Sequence, residues 1–150
     1  MDIDNADFRG AGGDRIRSRI WDDVQPLLEE WAGVELTPSA LYGLRVFRNG
    51  ALIPPHVDDL PFVMSVVIHV ADEVKEPWVM EMIGHDGRSY SVTMEAGDML
   101  FYEGHSVIHG NPFPMKGMFY SVCPCYYFVY LCVCLLCVIF SILVECVLWL

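Results

Sequence analysis

The first apolar pattern along the chain has the period of a helix. Between Ile16 and Trp31, apolar residues recur at three- and four-residue steps. This spacing predicts an amphipathic helix. Asp14 would cap it, Pro26 would kink or divide it, and Gly33 would end it.

From Leu41 onward the apolar positions alternate, and turn residues separate short apolar segments. A period of two with regularly spaced turns is typical of an all-β sandwich or barrel. Asp86-Gly87 predicts a tight hairpin between two of the strands. Strands are predicted at 41–47, 62–70, 78–83, 89–94, 99–102, 107–109 and 119–123.

The two ends of the chain differ from the part between them. Residues 1–13 are polar and rich in glycine, which predicts a flexible leader, and residues 14–122 are predicted to form one domain. Residues 123–150 form an apolar tail in which Glu145 is the only charged residue. Its last twenty-five residues could cross a bilayer of about 30 Å as a helix. The tail is therefore either a C-terminal membrane anchor or a segment foreign to the fold, produced by an altered reading frame or an unspliced exon.

Composition narrows the function classes. The chain of 150 residues has 9 basic and 20 acidic residues, giving a net charge of −11. Nucleic acid is therefore not an expected partner, because phosphate contacts need clustered Lys and Arg. All six cysteines lie in the apolar tail without the spacing of a disulfide framework.

Candidate metal chemistry lies just before the long apolar strand. In an extended segment residues i and i+2 lie on one face, so His56 and Asp58 can bind the same ion. A third ligand must come from a distant part of the chain, and both His105 and His109 are candidates. Two histidines and one carboxylate form the facial triad of non-haem Fe(II) oxygenases.

The order of these motifs resembles one known family. The segment 48–58 reads R-N-G-A-L-I-P-P-H-V-D, Gly97-Asp98 precedes a hydrophobic strand, and His109-Gly110 is followed by Gly117 and Tyr120. Over about residues 41–120 this set is similar to the Fe(II)- and 2-oxoglutarate-dependent dioxygenases of the prolyl 4-hydroxylase-like branch. The resemblance implies a double-stranded β-helix, or jelly roll. It also favours His109 over His105, since the distal histidine of the family is followed by glycine.

The resemblance further implies a set of cofactors. His56, Asp58 and His109 would hold Fe(II), 2-oxoglutarate would be the cosubstrate, and ascorbate would keep the iron ferrous. The family binds the far carboxylate of 2-oxoglutarate with a basic residue on the eighth jelly-roll strand, a position that corresponds to Phe119 here. Lys116 is the nearest basic residue, although it could equally be a solvated turn residue.

Two residues before the motif complete the predicted cosubstrate site. Arg45 is a substitute partner for the carboxylate if its side chain faces inward, and Tyr42 would line the pocket. His69, within an apolar strand, and His85, within a hairpin, are expected to have core and turn roles.

The resemblance implies an enzyme that hydroxylates a protein or peptide side chain, such as that of proline, and releases succinate and carbon dioxide. Two alternatives come from other classes of protein: a catalytically impaired jelly-roll binding module, and a membrane-anchored structural protein. The expected location is a membrane if the tail belongs to the protein, and otherwise the cytoplasm or the endoplasmic reticulum.

Overall fold

The structure is a computed structural model that describes residues 3–6 and 13–129. Within these ranges the chain forms one helix and ten strands. In chain order they are β1 (Ile3–Ala6), α1 (Gly13–Ala32), β2 (Leu36–Leu41), β3 (Leu44–Arg48), β4 (Ile53–His56), β5 (Met64–Val74), β6 (Met80–Ile83), β7 (Ser89–Val92), β8 (Met99–Tyr102), β9 (Ile108–Asn111) and β10 (Gly117–Val129).

The strands form two antiparallel sheets. One has the order β1-β3-β10-β5-β8, with β2 paired to β10 as well, and the other has the order β4-β9-β6-β7. Strands that are distant in sequence are therefore neighbours, and the eight strands from β3 to β10 have the order of a jelly roll. The prediction of a mainly β fold with an N-terminal helix is confirmed.

The central strand of the larger sheet is β10. It pairs with β3 and β2 on one edge and with β5 on the other. Both of its faces are buried, because Tyr120 and Val122 pack between the sheets whereas Cys123, Cys125 and Tyr127 pack with α1. A strand buried on both faces is a continuous apolar run, which periodicity alone cannot distinguish from a buried helix.

This strand corrects the predicted domain boundary. The division at residue 122 falls inside β10, and the helix predicted from residue 126 is wrong for residues 126–129, which continue the strand. The rest of the predicted tail, 130–150, lies outside the described residues. In the part of the chain that is described, no helix combines the length and apolar character needed to cross a membrane.

The helix α1 covers the outer face of the larger sheet. Val24, Leu28 and Ala32 are buried against it. Pro26 does not divide the helix. It lies on the exposed side of α1, and packing of the buried side stabilises the turns next to the hydrogen bond that proline cannot donate. The helix ends as predicted at Gly33, which has a φ of 69° and donates its N–H to Glu29 O at 2.8 Å.

The sequence did not predict β1 or the separation of β2 from β3, and it predicted β4 only as an extended segment. The predicted leader contains β1, whose backbone pairs with β3 at the edge of the sheet. Such pairing uses main-chain groups and needs no apolar alternation, so the sequence carried no signal for it. The predicted strand 41–47 is instead the end of β2 and most of β3, separated at Gly43, which has a φ of 88°.

Candidate metal centre and cavity

The fold brings three of the predicted residues together. His56 ends β4 and lies opposite His109 of β9 in the strand register, and Asp58 follows β4 by two residues. One ligand atom from each of the three lies within 4.8 Å of the other two. Asp58 Oδ1 is 3.9 Å from His56 Nε2 and 3.8 Å from His109 Nε2, so the three atoms surround one point.

Both histidines are oriented by the backbone. His56 Nδ1 lies 2.9 Å from Pro54 O, and His109 Nδ1 lies 2.9 Å from Val107 O. A carbonyl oxygen can only accept, so Nδ1 carries the proton and donates it in each case. Each Nε2 is therefore left with a free lone pair, which is the form that binds a metal.

Asp58 is held at three of its four polar atoms. Its N–H donates to Gly104 O at 2.7 Å, and its carbonyl oxygen lies 2.9 Å from His105 Nδ1. Ser65 Oγ donates to Asp58 Oδ2 at 2.7 Å. The free oxygen, Oδ1, is the one that faces the two histidines. His105 thus contacts the main chain of Asp58, and the structure brings His109 rather than His105 to its carboxylate.

The two histidines of the triad differ in their exposure to solvent. His109 is only 3% exposed, and its ring packs 4.6 Å from that of Tyr102. Burial lowers the pKa of His109, against the opposing effects of the Val107 carbonyl and the Asp58 carboxylate. His56, by contrast, has a side chain that is 44% exposed. The buried imidazole therefore stays neutral near pH 7, while a ligand can approach past His56.

A cavity of about 140 Å³ extends from the triad between the two sheets. Its wall is mainly apolar and aromatic, from Phe47, Val67, Trp78, Met80, Tyr120 and Val122 among others. Apart from the triad histidines, Arg45 of β3 is the only basic side chain among the described residues that line it. An apolar cavity with one cation and three metal ligands suits a small anionic ligand that also binds the metal.

The charges of Arg45 and Asp58 both affect the pKa values of two buried tyrosines, Tyr102 and Tyr126. Burial raises the pKa of Tyr126 to about 12, with Arg45 lowering it and Asp58 raising it. Burial likewise raises the pKa of Tyr102, and the same two charged groups act on it with the same signs. Both tyrosines line the cavity, so this part of its wall is influenced by the charges of Arg45 and Asp58.

The other two residues predicted for the cosubstrate lie outside the cavity wall. Lys116 precedes β10, and its Nζ lies 2.8 Å from Glu76 Oε1 in an exposed ion pair. Tyr42 is 47% exposed and packs against the ring of Tyr126 at 5.7 Å. Its ring also lies 5.6 Å from the guanidinium carbon of Arg45. The structure thus brings Arg45, but neither Lys116 nor Tyr42, to the cavity.

The remaining histidines have the environments expected of them. His69 is fully buried, stacks on Tyr120 at 4.3 Å and bonds to Met94 O through Nδ1. His85, beside the β6–β7 turn, lies 2.7 Å from Glu103 Oε2. Neither is part of the triad.

Three residues of the site were missed in the sequence. Ser65 lies within an apolar run, and Gly104 lies in the loop before β9, so neither position carries a local signal. Asn111 lines the cavity and donates through Nδ2 to Val79 O at 2.9 Å. Its place two residues after His109 could have indicated that it faces the same side of β9.

The donor set fits ferrous iron. Two imidazole nitrogens and one carboxylate oxygen, with an adjacent open cavity, are the ligand type and geometry of non-haem Fe(II) oxygenase sites. A structural zinc site would instead be closed by a fourth protein ligand. Among residues 3–6 and 13–129 no fourth His, Cys, Asp or Glu joins this group.

Solved structures share this fold. A 2OG-Fe(II) oxygenase family oxidoreductase from Burkholderia pseudomallei is similar, with a TM-score of 0.62 and 10% identity over 79% of this chain. A Pseudomonas putida prolyl-4-hydroxylase has a TM-score of 0.61 and 15% identity, and the match covers 85% of this chain and 71% of that one. The chain spans 58% of the length of the Burkholderia protein. No protein-family model and no curated protein matches the sequence.

The chain therefore shares the fold of these two solved oxygenases, and the resemblance seen in the sequence is confirmed for the fold. These identities are low, so the likeness establishes the fold. The particular activity must be argued from the residues of the site.

Proposed function

We propose that the protein is an Fe(II)- and 2-oxoglutarate-dependent dioxygenase that hydroxylates a side chain of a protein or peptide. The observation that carries the proposal is the triad of His56, Asp58 and His109, whose ligand atoms lie within 4.8 Å at the end of a cavity containing one cation. Among the described residues these three ligand atoms have no hydrogen-bond partner, and a purely structural role would not require such atoms to face a cavity.

His56, Asp58 and His109 would hold the iron. Bound Fe(II) supplies the redox chemistry that activates dioxygen, and three protein ligands leave three positions for other molecules. The protein contributes orientation and dryness: carbonyl oxygens fix both imidazoles, Ser65 fixes the carboxylate, and the aromatic wall excludes water. Ascorbate is proposed as the reductant that keeps the iron ferrous, on the strength of the family resemblance alone.

Arg45 would bind the far carboxylate of 2-oxoglutarate. This ligand has a 2-oxo acid group at one end, suited to a metal, and a carboxylate at the other, suited to a guanidinium. Arg45 lines the same cavity as the triad, whereas Lys116 pairs with Glu76 outside it. We therefore assign the role to Arg45 rather than to Lys116.

A basic peptide is the proposed type of substrate. The net charge of −11 favours the approach of positive molecules through long-range steering, and the exposed side of His56 gives access to the triad. The likeness to a prolyl-4-hydroxylase makes peptidyl proline the first target to test. Equal turnover of matched acidic and basic peptides would refute the steering argument.

One observation favours a second candidate function. None of the residues of β10, from Gly117 to Val129, is Lys or Arg, so the family's usual carboxylate partner is missing from that strand. If Arg45 does not replace it, the protein is a jelly-roll module that binds metal without turning over 2-oxoglutarate.

Succinate formation separates these candidates. The full chain would be supplied with Fe(II), 2-oxoglutarate, ascorbate and a panel of proline-containing peptides, with Asp58→Ala as the matched control. Succinate that depends on both peptide and Asp58, together with a peptide mass increase of one oxygen, is expected. Metal binding without succinate would establish the binding module instead.

A further inference from the structure

Hydrogen bonds constrain both the main chain and the carboxylate of Asp58. Three of its polar atoms have partners: N with Gly104 O, the carbonyl oxygen with His105 Nδ1, and Oδ2 with Ser65 Oγ. Only Oδ1 faces the histidines. We infer that Ser65 is a positioning residue that makes Asp58 bind the metal through one oxygen. This inference rests on the proposed function.

The position of Ser65 is fixed by the sheet. It is fully buried on β5, opposite Tyr102 of β8 in the register. Val67, two residues along the strand, lines the cavity, so Ser65 faces the same side. Its hydroxyl therefore reaches Asp58 from a rigid strand rather than from a loop.

Gly104 restricts the positions that the Asp58 carboxylate and the Ser65 hydroxyl can adopt. A Cβ atom at this position would overlap both Asp58 Oδ2 and Ser65 Oγ. The backbone of the loop before β9 is thus packed directly against the hydrogen bond, and the same residue accepts the N–H of Asp58. The carboxylate is enclosed on the side away from the triad and cannot rotate freely.

The number of coordinating oxygens decides how many positions remain on the metal. A carboxylate with both oxygens free can chelate, and it would then occupy a fourth position of an octahedral ion. The O–H···O⁻ bond from Ser65 is charge-assisted and therefore among the stronger hydrogen bonds. By engaging Oδ2, Ser65 keeps three positions open for the cosubstrate and dioxygen.

The test uses Co(II), whose visible absorption reports coordination number without turnover. The full chain, Ser65→Ala and Ser121→Ala would be titrated with Co(II) in the absence of 2-oxoglutarate. Ser121 is a buried serine on β10, outside the cavity wall, and serves as the matched control. We expect Ser65→Ala to raise the Kd for Co(II) about tenfold, as is typical when a partner of a metal ligand is lost. We also expect a shifted absorption, because the second Asp58 oxygen would replace another donor on the ion.

Gly104→Ala provides a second variant that disturbs the same bond from the opposite side. It should produce the same direction of change in Kd and in the spectrum, while Ser121→Ala matches the parent in both. If the parent binds Co(II) and Ser65→Ala has the parent's Kd and spectrum, the inference about Ser65 is overturned and the proposed function stands. If the parent binds no Co(II), both are overturned.

Discussion

Two parts of the cavity wall are built in different ways: the triad, here called the metal end, and the neighbourhood of Arg45, here called the carboxylate end because we propose that it binds the far carboxylate of 2-oxoglutarate. At the metal end each ligand has a second contact that fixes it: Pro54 O for His56, Val107 O for His109, and Ser65 for Asp58. At the carboxylate end Arg45 of β3 is, among the described residues that line the cavity, the only basic side chain apart from the triad histidines. Each metal ligand is therefore fixed by a contact of its own, whereas binding at the carboxylate end would depend on the side chain of Arg45.

The two parts of the wall should therefore differ in how much change in residue position they tolerate. A ligand that is fixed by two groups tolerates little change in position. A cation needs only to reach the cavity, and strands β3 and β10 are neighbours that present residues to the same inner face. A basic residue on β3 can therefore face the same cavity as a basic residue on β10 would.

The largest effect is expected from removing a ligand at the metal end. Asp58→Ala deletes one of three donors, so the affinity for Fe(II) or Co(II) should fall by more than about 100-fold, beyond the usual effect of an outer partner. Anaerobic metal titration measures it.

His105→Ala is the matched control for that change. It removes a contact to the carbonyl oxygen of Asp58 but no ligand, so the loss of metal affinity should be at least tenfold smaller. Equal losses in the two variants would mean that His105 is a ligand and that the assigned triad is wrong.

The next effect lies at the carboxylate end. Arg45→Ala should weaken 2-oxoglutarate binding by about 10- to 100-fold, because a hydrogen bond to a charged group contributes about 1.5–3 kcal/mol. Metal affinity should stay at the parent level, since within the described part of the chain no hydrogen bond or ion pair joins Arg45 to a triad residue. Titration of the Fe(II)-loaded protein with 2-oxoglutarate checks both statements.

Lys116→Ala removes the other basic residue and is the paired control. It breaks an exposed ion pair with Glu76, so the 2-oxoglutarate Kd should be unchanged. A loss for Lys116→Ala with none for Arg45→Ala would reverse the assignment.

A smaller effect is expected where the two histidine strands meet. A Cβ atom on Gly110 would come within 2.7 Å of Ile53 O and 2.9 Å of Pro54 O. Gly110→Ala should push β9 from β4 and separate His109 from His56, lowering stability by about 1–3 kcal/mol and metal affinity with it. Denaturant unfolding would measure the change in stability, and Co(II) titration would measure the change in metal affinity. An unchanged Co(II) Kd would show that the spacing between β4 and β9 does not determine the geometry of the metal site.

The smallest effect is expected far from the cavity, at the end of α1. The Leu36 N–H and the Gln25 amide both donate to Glu29 and hold the pKa of its carboxyl below 4.5. A lowered folded-state pKa adds stability above the unfolded value, and this is lost as pH falls through the folded value. Glu29→Gln should therefore cost less than about 1 kcal/mol at pH 7. A difference from the parent that persists at pH 2 would contradict this origin.

The sequence predicted the metal end better than the other end for a physical reason. His56 and Asp58 are neighbours on an extended segment, so their joint orientation follows from strand geometry alone, and only His109 had to be brought from a distance. Whether Arg45 faces inward depends on the register of β3 against β10, which no local pattern encodes. Ser65 and Gly104 are likewise defined by what lies across the sheet.

The helix predicted from residue 126 is wrong for residues 126–129 for a similar physical reason. Residues 123–129 are apolar on both faces because α1 covers one face of β10 and the cavity lies behind the other. Local periodicity cannot show that a helix nearly one hundred residues earlier provides this cover. The strand therefore looked like the start of an apolar helix.

We propose that one cavity holds Fe(II) and 2-oxoglutarate together. The most direct measurement is an anaerobic titration of the full chain with Fe(II) and then 2-oxoglutarate, following the visible metal-to-ligand charge-transfer band that a chelated 2-oxo acid gives. We expect a band in the parent that is lost in Asp58→Ala, needs more 2-oxoglutarate in Arg45→Ala, and is unchanged in Lys116→Ala. A folded parent that shows no band would contradict it.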